Sequence, residues 1–148
     1  MNARMSYREA AVRGASPVRL VVLLYEQAIE DLRRALAAHA NSDIEGRTRE
    51  INHAILVIDH LQATLDKDQG GQVAANLERF YNLVRAGMIE AQFRQSVAVL
   101  EQQISHLMLV YEAWCEVERG TAAQATATAG PAQPAAENEP HCTAEWNA

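Results

Sequence analysis

A chain of 148 residues, about half of them apolar, is long enough for one domain with a substantial hydrophobic core. Its net charge of -6 excludes the basic surface on which nucleic-acid binding depends. No run of about 18 apolar residues is present, which excludes a membrane span. The N-terminus has no signal-peptide pattern, and the two cysteines, Cys115 and Cys142, predict neither a disulfide framework nor a metal site. We therefore expect a cytoplasmic protein.

The first long helix is predicted from its start signal. Residues 1–15 contain a short amphipathic segment that ends at a glycine. Ser16 and Pro17 follow, a favoured N-cap and a proline at the first helical position, where its missing N–H costs no hydrogen bond. Apolar side chains then recur at intervals of three and four, which predicts a helix that continues to about Ala40.

Three more helices are predicted after the first. Ser42 and Glu45 form a capping-box pattern that predicts the start of the second helix. The third is expected to begin at the double glycine of 70–71, a point of conformational freedom in a tight turn. Ser96 is the one plausible cap for the fourth helix, whose apolar spacing of three and four continues through Trp114.

These elements predict an all-α fold, an antiparallel up-down four-helix bundle with a short N-terminal helical segment and a disordered C-terminal tail. Residues 1–15 are expected to be a mobile segment and residues 16–119 the bundle. Residues 120–148 are rich in Ala, Thr and Pro and have no Lys or Arg. Such a composition cannot bury enough apolar surface to offset the entropy of ordering, so we expect it to be disordered.

The sequence shows no catalytic arrangement, cofactor site or metal site, which predicts that the chain is not an enzyme. One Glu-x-x-His unit ends at His53, but di-iron bundles need two such units that point inward. Helical periodicity places His53 on the side that faces water. The alternative class that we keep open is a histidine phosphotransfer relay that uses His60, although the residues after it depart from that pattern.

The informative signal is apolar coverage in excess of one face per helix. Two runs of consecutive apolar residues, 20–25 and 107–111, cover the whole circumference of their helices. Left exposed, such side chains would form a groove for an amphipathic helix. Two alternatives stay open: residues 1–15 or a central position of one helix could cover them instead. The side chains outside the predicted stripes are Val22, Leu23, Ile29, Leu56, Val57, Leu83, Leu109 and Val110.

Two helix-start signatures resemble those of the FliS family of flagellar export chaperones. The first is Ser16-Pro17-x-x-Leu20-x-x-x-Leu24-Tyr25-Glu26. The second is Gly70-Gly71-x-x-Ala74-x-Asn76-Leu77-x-x-x-Tyr81, and Ala113-Trp114 near the end of the last helix also matches. The resemblance extends from Tyr7 to Val117 and leaves out the C-terminal tail.

The resemblance implies a cytoplasmic chaperone that binds the disordered C-terminal region of flagellin in apolar grooves. It implies that the chaperone prevents premature polymerisation and delivers flagellin to the flagellar type III export gate. Tyr7 matches the family's N-terminal tyrosine, which is associated with a segment that moves on client binding and contacts the gate. Whether the free chain is a homodimer stays open.

Two sets of residues follow from the apolar excess and the resemblance together. The predicted client-binding residues are Tyr7, Val22, Leu23, Ile29, Leu109 and Val110. The residues of the family motifs, for which we expect structural roles, are Ser16, Pro17, Leu24, Tyr25, Gly70, Gly71, Asn76, Leu77, Tyr81 and Trp114.

Overall fold

The computed structural model describes residues 16–128, with side chains up to residue 122. It contains four helices and, within that range, no strand: α1 (Pro17–Ala40), α2 (Ile44–Ala63), α3 (Gly71–Arg94) and α4 (Val97–Thr128). The chain divides into two compact units, Leu23–Leu109 and a second unit made of its two ends. The predicted all-α class is confirmed, whereas the N-terminal segment of residues 1–15 lies outside the described residues.

The predicted starts of the first and last helices are confirmed by their caps. The Ser16 hydroxyl accepts a hydrogen bond from the Arg19 backbone N–H at 3.1 Å. The Ser96 hydroxyl accepts one from the backbone N–H of Val99, also at 3.1 Å. Each cap satisfies an N–H group that has no partner within its helix. The α3–α4 link is only two residues long because Gln95 adopts a left-handed conformation, with φ 53°, directly before Ser96.

The predicted capping box of α2 is wrong. The N-cap is Asp43, whose carboxylate accepts a hydrogen bond from the Gly46 backbone N–H at 2.9 Å. Ser42 instead has φ 57° and lies in the turn before the helix. A side chain at position 46 would collide with the capping carboxylate, so the glycine belongs to the cap. Both Ser and Asp are good caps, and sequence alone did not distinguish them.

Gly70 and Gly71, at the start of α3, are each required to be glycine for a different physical reason. Gly71 has φ +56°, a conformation that strains residues with a side chain. A Cβ atom at Gly70 would collide with the carbonyl oxygen of Asp66 and the side chain of Ala74. The first glycine therefore permits close approach, and the second permits the left-handed turn from which α3 begins.

Within the unit Leu23–Leu109 the neighbouring helices are antiparallel. Between α2 and α3, Asp59 accepts a hydrogen bond from Arg85 at 2.9 Å, and Thr48 accepts one from Gln92 at 2.5 Å. As the residue number increases along α2, from 48 to 59, the number of its partner on α3 decreases, from 92 to 85. The short turns from α1 to α2 and from α3 to α4 reverse the chain in the same way. The predicted up-down topology is confirmed.

Two tyrosines join α1 to α3 in the core of this unit. Tyr25 and Tyr81 are buried, and the Tyr25 hydroxyl donates a hydrogen bond to the Tyr81 hydroxyl oxygen at 3.0 Å. Their ring centroids are 6.2 Å apart in a tilted arrangement. The two signatures that the sequence presents separately therefore meet in space.

The second unit is described through the start of α1 and the end of α4. One guanidinium nitrogen of Arg19 lies 3.3 Å from both carboxylate oxygens of Glu118. Beyond that contact α4 continues to Thr128, past the predicted end at 119, because the segment after Gly120 is rich in alanine, the best helix former. The rest of the predicted tail lies outside the described residues.

Cys115 is a core residue of α4. Its side chain is buried, as expected of a small apolar residue, but it is disulfide-bonded. Sequence spacing does not reveal which thiols approach each other in space.

The tyrosine contact gives a stability prediction. Tyr81→Phe leaves a buried hydroxyl of Tyr25 without this partner and should lower the free energy of unfolding by about 1–2 kcal/mol. Tyr25→Phe should cost a similar amount, and the double variant should cost less than the sum of the single variants by about 1 kcal/mol. Urea denaturation of the four proteins measures this coupling, and strictly additive losses would show that the two hydroxyls do not interact.

Candidate binding surface

Three of the predicted client-binding residues lie inside the structure rather than on its surface. Val22 and Ile29 are 0% exposed and Leu23 is 7% exposed, so the expectation that they form an exposed groove is wrong. The reason is that α1 is buried on all sides here, since the polar side chains of Glu26 and Gln27 are buried as well. A helix that is apolar around its whole circumference is typically a central one.

Two of the remaining predicted residues lie on α4. Leu109 is 72% exposed, which agrees with its predicted position opposite the buried stripe. Val110, the next residue, is half-buried. Tyr7 lies outside the described residues. Of the six predicted client-binding residues, Leu109 alone presents a large apolar side chain to solvent within the part of the chain that the structure describes.

Exposed apolar side chains are also found on α2 and α3. Leu56 and Leu83 are exposed, as their positions outside the stripes predicted, whereas Val57 is buried, contrary to expectation. The most exposed large apolar side chain in residues 16–122 is Phe93, at 86%, which the sequence analysis missed. A signal was available, because Phe93 follows the buried Met88 by five positions and therefore faces another direction.

A buried polar contact between α1 and α2 was also missed. Asp31 is fully buried, and its carboxylate accepts a hydrogen bond from Gln27 at 2.7 Å. The Nδ1 atom of His53 lies 2.5 Å from the other carboxylate oxygen. The prediction that His53 faces water is therefore wrong, since its ring turns toward α1. Asp31 could have been found, because it follows Ala28 by three residues and precedes Ala35 by four, in register with the buried stripe.

Burial determines the electrostatics of this contact and of the tyrosine pair. Desolvation raises the pKa of the Asp31 carboxyl, and the hydrogen bond and charge of His53 oppose that rise only in part. Desolvation also raises the pKa of the Tyr81 hydroxyl, against the hydrogen bond from Tyr25. The Oε1 atom of Gln27 is buried and has no hydrogen-bond partner.

The remaining motif residues divide between caps, core and surface. Pro17 is the first residue of α1, and Leu24, Leu77 and Trp114 are half-buried. Asn76 is exposed and accepts a hydrogen bond from the Gln72 side chain at 2.9 Å, one turn earlier on α3.

The described residues give no indication of a reactive centre. Within residues 16–128 no group of three His, Cys, Asp or Glu side chains is placed to hold a metal ion. None of the described helices is both long enough and apolar enough to cross a bilayer. His60 is an exposed residue of α2, beside the Asp59 that pairs with Arg85.

Four helices with apolar side chains on α2, α3 and α4 define a helical protein suited to binding another chain. The chain belongs to the FliS family: the family model "Flagellar protein FliS" matches residues 1–121. The family is one of chaperones rather than enzymes, which confirms that prediction and leaves no support for a phosphotransfer relay.

Named relatives agree with the family model. The flagellar secretion chaperone FliS of Salmonella typhimurium is 31% identical over 110 residues, which cover 74% of this chain and 82% of the relative. The flagellar secretion chaperone FliSB of Pseudomonas aeruginosa is 33% identical over 106 residues, 72% of this chain and 84% of the relative. FliS of Campylobacter jejuni is 31% identical over 102 residues, 69% of this chain and 80% of the relative.

The buried carboxyl of Asp31 gives a pH prediction. Its pKa is raised above 3.8, so the folded protein binds this proton more tightly than the unfolded chain does. The contribution of this group to stability is therefore greatest below about pH 3.8 and is lost as the pH rises through the raised pKa. The substitution Asp31→Asn keeps an oxygen that can accept the hydrogen bond from Gln27, but it replaces the titratable carboxyl group with an amide. Relative to Asp31→Asn, the parent protein should thus lose unfolding free energy as the pH rises.

Urea denaturation at a series of pH values measures that difference. The control is Asp59→Asn, which removes one negative charge from an exposed ion pair on α2. If the parent instead gained stability over Asp31→Asn with rising pH, the attraction of His53 would outweigh the desolvation of the carboxylate.

Proposed function

We propose that this chain binds the C-terminal region of flagellin, prevents its premature polymerisation, and delivers it to the flagellar type III export gate. The observation that carries the proposal is membership of a family whose named relatives are flagellar secretion chaperones. The names of these relatives specify neither the client nor the export gate, so we propose flagellin as the client and the type III gate as the destination. We place this activity in the cytoplasm, as the resemblance to the family implies.

Leu109 is the residue on which we centre the client surface. It is a large aliphatic side chain with most of its area in water, beside the half-buried Val110. Burial of one such leucine against a client helix would contribute about 1.5–3 kcal/mol. Several contacts of this size suffice for a micromolar complex even after the client has lost the entropy of its disordered state.

Binding of this kind requires no nucleotide and no covalent chemistry. A chaperone that covers the apolar segments through which flagellin self-associates lowers the concentration of free, polymerising subunit by mass action. Because the client must fold on binding, part of the interaction energy is spent on ordering it. The complex is therefore specific without being too tight to release its client at the gate.

The N-terminal residues 1–15 have a separate role in the proposal. We assign them the position of a cover over the client surface in the free protein, displaced when flagellin binds. Tyr7 then becomes available to contact the export gate. Client binding and delivery are thus separable steps that depend on different residues.

The client surface is tested with a synthetic peptide of the flagellin C-terminal region. Leu109→Asp should weaken its binding about tenfold to a hundredfold, because a buried leucine contact is replaced by a charge that must be desolvated. Isothermal titration calorimetry measures the affinity, and circular dichroism verifies that the helical content is unchanged.

The matched control is Leu56→Asp, because Leu56 on α2 is a leucine of similar exposure, 64% against 72% for Leu109. It should retain the parent affinity. Equal losses in both variants would contradict the assignment to Leu109. A parent protein that leaves the peptide unbound at micromolar concentrations would overturn flagellin as the client.

Delivery is tested separately with Tyr7→Ala. This variant should bind the peptide at least as tightly as the parent and should secrete less flagellin when it replaces the chromosomal copy. Quantitative immunoblotting of flagellin in culture supernatants and cell pellets measures the effect. Normal secretion by this variant would exclude Tyr7 from the gate contact.

A further inference from the structure

Cys115 continues the buried face of α4 and is covalently bound through its sulfur. Leu107, Tyr111 and Cys115 recur at intervals of four along this helix, and each is at most 2% exposed. The sulfur is more than a small apolar group of the core, because it takes part in a disulfide. The sequence contains one other cysteine, Cys142, which lies outside the described residues. Within a single chain, Cys142 is therefore the one residue with which Cys115 can pair.

The chain between the two cysteines is long enough for this pairing. The helix α4 ends at Thr128, which lies about 20 Å along the helix axis from Cys115. The following residues, 129–142, span up to about 48 Å when extended, more than twice the distance back. A disulfide requires Cα atoms about 5.5–6 Å apart. The bond therefore requires residue 142 to lie directly against α4 at the level of Cys115.

The charges of the two segments oppose their association in the absence of the bond. From Val97 to Glu118, α4 contains four glutamates and neither lysine nor arginine. Glu112 and Glu116 are exposed on this helix. Residues 129–148 contain three more glutamates and likewise no lysine or arginine. Like charges repel and the tail gains entropy on release, so the covalent bond is what holds it against α4. Reduction of the bond therefore frees the tail.

We propose that Cys115 and Cys142 form a reversible redox site that fixes the C-terminal tail on α4 and thereby closes the client surface. This role rests on the proposed function, since the client surface is centred on Leu109. Leu109 lies about 9 Å from Cys115 along the axis of the same helix. Trp146 follows Cys142 by four residues, a span of up to about 14 Å. In the oxidised chain, Trp146 therefore reaches the exposed leucine and competes with the client for it.

The chemistry of the site requires a two-electron oxidant, for which we name a peroxide. One thiol attacks a peroxide oxygen and becomes a sulfenic acid, and its proton joins the departing hydroxide to form water. The second thiol then attacks the sulfenic sulfur, so that the S–S bond forms, the S–O bond breaks and a second water leaves with the remaining thiol proton. A dithiol reverses the reaction by exchange and is itself oxidised to a disulfide. Cytosolic disulfides are usually transient and redox-sensing, which agrees with a site of this kind.

Mass spectrometry of the full chain tests the pairing without any client. After treatment with hydrogen peroxide at low protein concentration, the chain should be lighter than the reduced chain by two hydrogen atoms. Its digest should contain a cross-linked peptide with both Cys115 and Cys142, and dithiothreitol should abolish both signs. The variant Cys142→Ser, which leaves the core of α4 intact, should show neither. Two thiols that stay free under peroxide, or cross-links that join two chains instead of one, would overturn the proposal.

Calorimetry with the flagellin C-terminal peptide tests the effect on client binding. The oxidised chain, freed of peroxide, should bind the peptide about tenfold more weakly than the reduced chain. Cys142→Ser should bind like the reduced parent under both conditions. Trp146→Ala should still form the disulfide but lose most of the difference between the two states. The matched control is Asn147→Ala, which changes the next residue of the tail and should behave as the parent does.

The outcomes separate the redox site from the proposed function. Equal affinities in the two redox states, with the disulfide verified by mass, would overturn control of the client surface by the tail. A parent that binds the peptide in neither state would overturn flagellin as the client, and with it the effect on binding. The mass measurement decides on the disulfide in either case, because it involves no client.

Discussion

The burial of α1 on all sides is the constraint on which the rest of this structure depends. From Val22 to Leu32 every side chain of this helix is buried except two, and those two are half-buried. A carboxylate inside such a helix must find its partners within the protein, and Asp31 finds them in Gln27 and His53. The same burial removes Val22 from the candidate binding surface. Both facts follow from one position in the fold.

Because α1 has no free apolar side here, the exposed large apolar side chains of the described residues lie on α2, α3 and α4. Leu109 on α4 is the exposed residue that we assign to a flagellin segment. It is a single large aliphatic side chain whose exposed neighbours on the helix include Ser105, His106 and Glu112.

Sequence patterns predicted the fold class and three of the four helix starts, because caps and periodicity are local properties. They failed where the answer depended on neighbours in space. Val22 and Leu109 both lie outside their stripes, and nothing local distinguishes the buried residue from the exposed one. The pairing of His53 with Asp31 likewise joins two helices that lie apart in the chain. The two helix-start signatures each contain a tyrosine, Tyr25 in α1 and Tyr81 in α3, and these two side chains form one hydrogen bond. Two local patterns were therefore recognised in the sequence, but the contact between them was not.

The polar contact inside the helical interface also restricts how α1 and α2 can shift. A shift by one helical turn, about 5.4 Å, between these helices would separate Asp31 from His53 and remove the partner that the buried carboxylate has on α2. The contact therefore opposes a change in the register of α1 and α2. A client that remodels the surface of this chaperone is expected to leave that register unchanged.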